Sequence, residues 1–294
     1  MIRRRIPAGP AGLIAVVVML VAAGCGAPRE AGPALVPVKR YVALGDTFAA
    51  APYTGETAKG KGCRRAAGNY PSQVARAVRA LALTDVSCTG ADIDAALKRS
   101  KVSGKRVDPQ IRAVSETTDL VTVQLGAYVG KLYDNIAAFC ARHSKYDCKL
   151  SAGANGIGAL ISSVQPALTR LLRKIGKRAP RATVLVVGYP RHIDGKTTCS
   201  AQPKMSDADR KTWIQIDERL NLALRNAADV AVADFVDVYA ASAGHGICGE
   251  TPWVRPARTS RSAGVALGPT AAGETAIAGL IHDTLVADQH FDVG

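Results

Sequence analysis

A chain of 294 residues, 48% hydrophobic and 21% charged, has the composition of a globular protein with room for a substantial core. Its formal charge of +14 favours anionic partners, but aromatics make up only 5% and no nucleic-acid fingerprint is present, which argues against nucleic acid. Five histidines and no cysteine pair at metal-ligand spacing argue against a zinc site, and no cofactor motif is found.

Residues 1–24 read as a lipoprotein signal peptide. Arg3, Arg4 and Arg5 form a cationic start, and Gly12 to Val21 is an apolar run shorter than the ~20 residues that span a bilayer. Ala22-Ala23-Gly24-Cys25 resembles a bacterial lipobox, in which cleavage precedes a cysteine whose thiol carries a diacylglycerol. The expected location is then the outer face of the cell membrane; if Cys25 is not acylated, the chain is secreted. Residues 25–37, rich in Gly, Pro and Ala, read as a flexible tether, and residues 38–294 as a single, monomeric domain. Loss of the three leader arginines takes the formal charge from +14 to +11. Beyond Cys25, six cysteines remain in an oxidising compartment and read as disulfides, although counting alone does not pair them.

In chain order, Val42 to Leu44 is a short strand ended by Gly45-Asp46, and Asn69 to Ala82 has helical periodicity. Leu83 to Cys88 and Asp119 to Gly126 read as strands, and Val129 to Arg142 and Ile157 to Lys174 as helices. Ala182 to Pro190 is the strongest buried strand, Asp207 to Ala228 a long amphipathic helix, Asp229 to Phe235 a strand and Thr270 to Asp288 a closing helix. "GANGIGAL" (Gly153 to Leu160) follows no strand and lacks a phosphate-loop lysine, so it reads as a helix entry. Helices alternating with apolar strands predict a three-layer α/β/α sandwich around a five-stranded parallel sheet. Sites in such sheets form at the carboxyl ends of the strands.

Several segments, in order, resemble the SGNH (GDSL) hydrolases, and most closely their secreted three-disulfide lipase and esterase branch. "YVALGDTFAA" resembles the Gly-Asp-Ser block, "CRRAAGNYP" the Cys-Arg…Tyr-Pro segment and "SCTGAD" the oxyanion-glycine block. "VTVQLGAYVGKL", "GYPR", the helix with Asn221, "GHGICGETPWV" and "LGPTAAGETAIA" follow in the family's order. The resemblance covers about Arg40 to Ala287 and implies a flavodoxin-like fold with disulfides Cys63–Cys88, Cys140–Cys148 and Cys199–Cys248.

The catalytic positions that it implies are altered. The serine position holds Thr47 and the oxyanion glycine is kept as Gly90. Tyr128 replaces the oxyanion asparagine and Val129 follows it. Val265 replaces the aspartate and Gly268 the histidine of the Asp-x-x-His-Pro segment. Losing one oxyanion donor costs about 10²–10³ in turnover, and losing the histidine base on the order of 10⁶. The expectation is a catalytically silent SGNH-like protein with a binding or structural role toward an envelope lipid, a glycan or another envelope protein. The alternative is a weak or rewired carboxylic ester hydrolase using Thr47, with His245 as substitute base and Asp237 or Asp234 as its orienter.

His192 is expected to be a solvated loop histidine, and His143, His282 and His290 surface residues. Tyr128 is expected to fill the vacated pocket, with stacking on a sugar or lipid glycerol as the alternative. The basic runs at Lys59 to Arg65, Lys98 to Arg106, Arg170 to Arg181 and Arg255 to Arg261 read as solvated faces, or as part of a surface for anionic lipid or glycan.

Overall fold

Strand-length apolar runs with small residues at their ends pair side by side and in parallel. The computed structural model describes residues 38–57, 62–102, 105–142, 148, 150, 153–195, 197–259 and 264–287, all within the compact unit Leu35–Gly294. The signal segment, Cys25, the tether, Lys59, Lys61, Arg261, His143 and His290 lie outside the described residues.

In chain order the strands are β1 (Arg40–Gly45), β2 (Ala82–Asp85), a small antiparallel hairpin β3 (Ser100–Val102) and β4 (Lys105–Val107), β5 (Leu120–Gln124), β6 (Thr183–Val187) and β7 (Asp234–Val236). The main sheet is all parallel, in the order β2-β1-β5-β6-β7. Tyr41 sits opposite Leu120, and Leu120 opposite Thr183. The helices are α1 (Thr47–Ala50), α2 (Tyr70–Ala77), α3 (Ile93–Leu97), α4 (Leu132–Arg142), α5 (Ala154–Arg178), α6 (Asp207–Ala231), α7 (Val238–Ala241) and α8 (Ala271–Ala287).

Period-two alternation divides each strand between two cores, as a doubly covered sheet requires. Val42, Leu44, Val121, Val123 and Val186 pack beneath α3, α4, α5 and α6. Tyr41, Ala43, Leu120, Leu185 and Val187 pack on the opposite face with α2 and α8. The expected three-layer α/β/α sandwich is therefore the observed fold, and the three disulfides pair as the resemblance implies.

Several boundaries differ from the sequence reading. α2 ends at Ala77, because Arg79 turns left-handed at φ 48°. Its companion strand then starts at Ala82 and ends at Asp85. The first three residues of the strand read over Asp229 to Phe235 belong to α6, which continues through Ala231. Val232 closes that helix in the left-handed region, its N–H donating to Ala228 and Asp229 carbonyls, and β7 starts only at Asp234. The helix ladder, anchored by buried Ala227 and Ala228, overrides the β-branched preference of this short run. Gly153 caps the entry to α5, as its glycine-rich segment suggests.

Candidate functional site

β1 delivers its carboxyl end into a tight turn. A Cβ at Gly45 would overlap the Ala49 side chain, so only glycine lets the chain fold back into α1. Asp46 caps that helix, accepting from the Phe48 N–H at 2.9 Å and from the Tyr189 hydroxyl at 2.6 Å. Burial pushes the Asp46 carboxyl up to about 7, against those two hydrogen bonds, which lower it.

Thr47 follows with no exposed surface. Its Oγ1 accepts from the Gly90 N–H at 2.9 Å, and Gly90 holds φ 77°. The donor that the resemblance assigns to an oxyanion is thus engaged by the threonine itself. Tyr128 is only 4% exposed. Burial pushes its phenol well above the ordinary range, and the Asp46 carboxylate adds to this. Its side chain packs into the same core cluster as Phe48, Tyr133 and Tyr189.

His245 sits elsewhere. Its ring stacks on Trp253 at 4.7 Å and its Nδ1 lies 2.8 Å from the Thr251 carbonyl oxygen. Among the described residues no hydrogen bond joins an imidazole to Thr47. Of the two proposed orienters, Asp237 caps α7 and pairs with Arg225, and Asp234 is exposed at the start of β7.

Val265 and Gly268 form a tight turn, with the Gly268 N–H donating to the Val265 carbonyl at 3.0 Å. A Cβ at Gly268 would lie 3.1 Å from that same oxygen. Val265 also lines a cleft of about 470 Å³, with Tyr53, Arg64, Thr259, Gly264 and Ala266. Arg64 donates to the Tyr53 hydroxyl at 2.8 Å in one wall of it.

His192 is the clearest departure from the sequence reading, being wholly buried where a solvated residue was expected. Its Nδ1 lies 3.2 Å from both Asp217 carboxylate oxygens, and its Nε2 lies 3.1 Å from the Leu267 carbonyl oxygen. Asp217 also accepts from the His192 N–H at 2.9 Å and the Tyr133 hydroxyl at 3.0 Å. Both ring nitrogens are engaged, so this imidazole is a fastener between α6 and the turn at Leu267. Asp217 and Asn221, one helical turn apart on the buried stripe of α6, could have pointed to it. Asn221 in turn accepts from the Tyr189 N–H at 2.8 Å, which places the hydroxyl that reaches Asp46. His282 is partly exposed beside Asp283, and no group of three or more metal-ligating side chains occurs among the described residues.

This fold and sequence have parallels among known proteins. The sequence model described as "GDSL-like Lipase/Acylhydrolase family" matches residues 43–276. A protein named Lipase 2 from Streptomyces coelicolor is 31% identical over 283 residues, covering 89% of this chain and 90% of the relative. An esterase from Streptomyces scabiei is 27% identical, covering 83% of this chain and 81% of the relative. The crystal structure of phospholipase A1 from Streptomyces albidoflavus NA297 superposes with a TM-score of 0.69 at 24% identity, over 84% of this chain and 98% of that one.

Proposed function

We propose, because this chain belongs to the GDSL-like lipase/acylhydrolase family and is an SGNH lipase/esterase-like protein, that it is an exported member whose inherited chemistry is silent and whose cleft binds rather than cleaves. The observation that carries this is the state of Thr47, which is fully enclosed and has the Gly90 N–H on its own oxygen. Acyl transfer needs a base on the nucleophile and free donors at the oxyanion. Thr47 has neither. The cleft beside Val265 is the place for an envelope lipid or glycan, and the three disulfides fit an oxidising compartment. Anchoring through an acylated Cys25 belongs to the same reading.

The names of the relatives, lipase and esterase, favour the second reading over this one: a weak carboxylic ester hydrolase with Thr47 as nucleophile. The two separate in one assay. Purified chain from Gly26 onward is given a short-chain p-nitrophenyl ester beside a Thr47→Ala control. Equal, background rates in both proteins are expected. Turnover well above buffer that disappears in Thr47→Ala would establish the hydrolase and overturn the silent site.

A further inference from the structure

Parallel pairing gives the main sheet two unlike ends. Thr47, Gly90 and Tyr128 gather at the carboxyl end. At the amino end stand the first residues of the strands, Arg40, Ala82, Leu120, Thr183 and Asp234. The described chain enters there, through Val38. Helices α2, α5 and α6 return there too, since each is followed by the start of a strand. α8 begins beside the start of α2, where Glu274 accepts from the Tyr70 N–H, and runs to the same end.

Six large apolar side chains are exposed among the described residues, and four of them are spread across this amino end, from Leu81 at the β2 edge to Val230 and Val232 at the β7 edge, with Val286 at the end of α8. Val232 is 95% exposed and Leu81 is 82% exposed. Around them Lys39, Arg40, Arg79, Lys177, Arg178 and Arg181 are exposed, and none is in an ion pair with a described carboxylate. The acids at this end are Glu116, Asp119, Asp229, Asp234 and Asp283; Asp119 is satisfied by the backbone N–H groups of Lys39 and Arg40. Cations in the last turn of a helix complement its dipole, which accounts for Lys177 and Arg178. It does not account for Lys39 on the entering strand, or for bare Leu81 and Val232.

We propose that the amino end of the sheet is a docking face for an anionic lipid bilayer. Leu81 and Val232 enter the interface while the surrounding lysines and arginines meet the headgroups. The described chain begins at Val38 on this face, so an acyl chain on Cys25 would act in the same direction. The carboxyl end of the sheet, which carries Thr47, then points away from the bilayer.

The test is co-sedimentation of the chain from Gly26 onward, which keeps every described residue, with vesicles of phosphatidylcholine alone or mixed with phosphatidylglycerol. Binding to the mixed vesicles is expected, and it weakens as salt shortens the screening length. Combining Lys39→Gln, Arg79→Gln and Lys177→Gln lowers that affinity by roughly 10²-fold. Leu81→Ser with Val232→Ser lowers what binding persists at high salt. Lys98→Gln, Lys204→Gln and Lys211→Gln together remove the same charge away from this face and leave affinity within about two-fold, against the ~10²-fold loss. Equal losses in the two triple variants, or no preference for phosphatidylglycerol, would overturn the proposal. Thermal melting of each variant separates a folding defect from a binding defect.

Discussion

Single side chains decide what the site can do, and most of the deciding ones face inward. His192 joins two parts of the chain that sequence places 75 residues apart, and its partners are a carboxylate and a main-chain carbonyl. Replacing it by alanine leaves Asp217 short of one partner and strands the Leu267 carbonyl, each at a cost of about 1–3 kcal/mol. His192→Ala is therefore expected to lose about 2–5 kcal/mol in urea unfolding. A loss below about 0.5 kcal/mol would mean that the imidazole is dispensable to the loop. Tyr128 shows what sequence could convey at this scale. Its replacement of an asparagine was visible and its burial was expected, but the neighbours that enclose it come from several elements of the core cluster. Such contacts leave no local mark.

At the level of elements, the sheet strands and long helices were legible because their periodicities are strong. The short pieces were not: α1, α3, α7 and the β3–β4 hairpin carry too few residues for a period to show. The α6–β7 boundary was misplaced because "DVAVADF" satisfies strand preference while its first residues are held by the preceding helix. Element packing also sets a prediction at Gly188, just after β6. A Cβ there would come within 2.6 Å of Asn221 Oδ1 and 3.2 Å of the Val236 carbonyl. Gly188→Ala should push Asn221 off the Tyr189 N–H and destabilise the fold by about 1–3 kcal/mol. Calorimetry of the alanine variant is the measurement. An unchanged melting temperature would show that β6 and α6 can separate freely at this point.

Across the whole molecule, buried acids set the response to pH. Asp46, Asp85 and Glu274 are all raised, chiefly by burial, and they sit in one neighbourhood beneath the elbow. Each binds its proton more tightly when folded than when unfolded, so folding takes up protons. Stability is then fullest near the unfolded carboxyl value of about 4 and falls as pH rises through about 7, the folded value of Asp46. Melting temperatures should be higher at pH 5 than at pH 8. Asp46→Asn, which keeps the cap and the acceptor for Tyr189, should flatten part of that slope, by on the order of a few kcal/mol. A curve that instead rises toward pH 8 would show that these acids ionise at no cost in the folded chain. The sequence offered no view of this cluster, because its members come from β1, β2 and α8, and only the closed sheet brings them together.

The turn at Val265 to Gly268 has a consequence for descent. Its glycine has no room for a side chain without displacing Val265, and its neighbour Leu267 is held left-handed at φ 58° with its carbonyl against His192. A chance mutation that placed histidine at position 268 would meet a backbone already fixed by these contacts, and Val265 would have to give by a few tenths of an ångström. A histidine at that position would therefore cost stability of the turn, whatever it did for turnover.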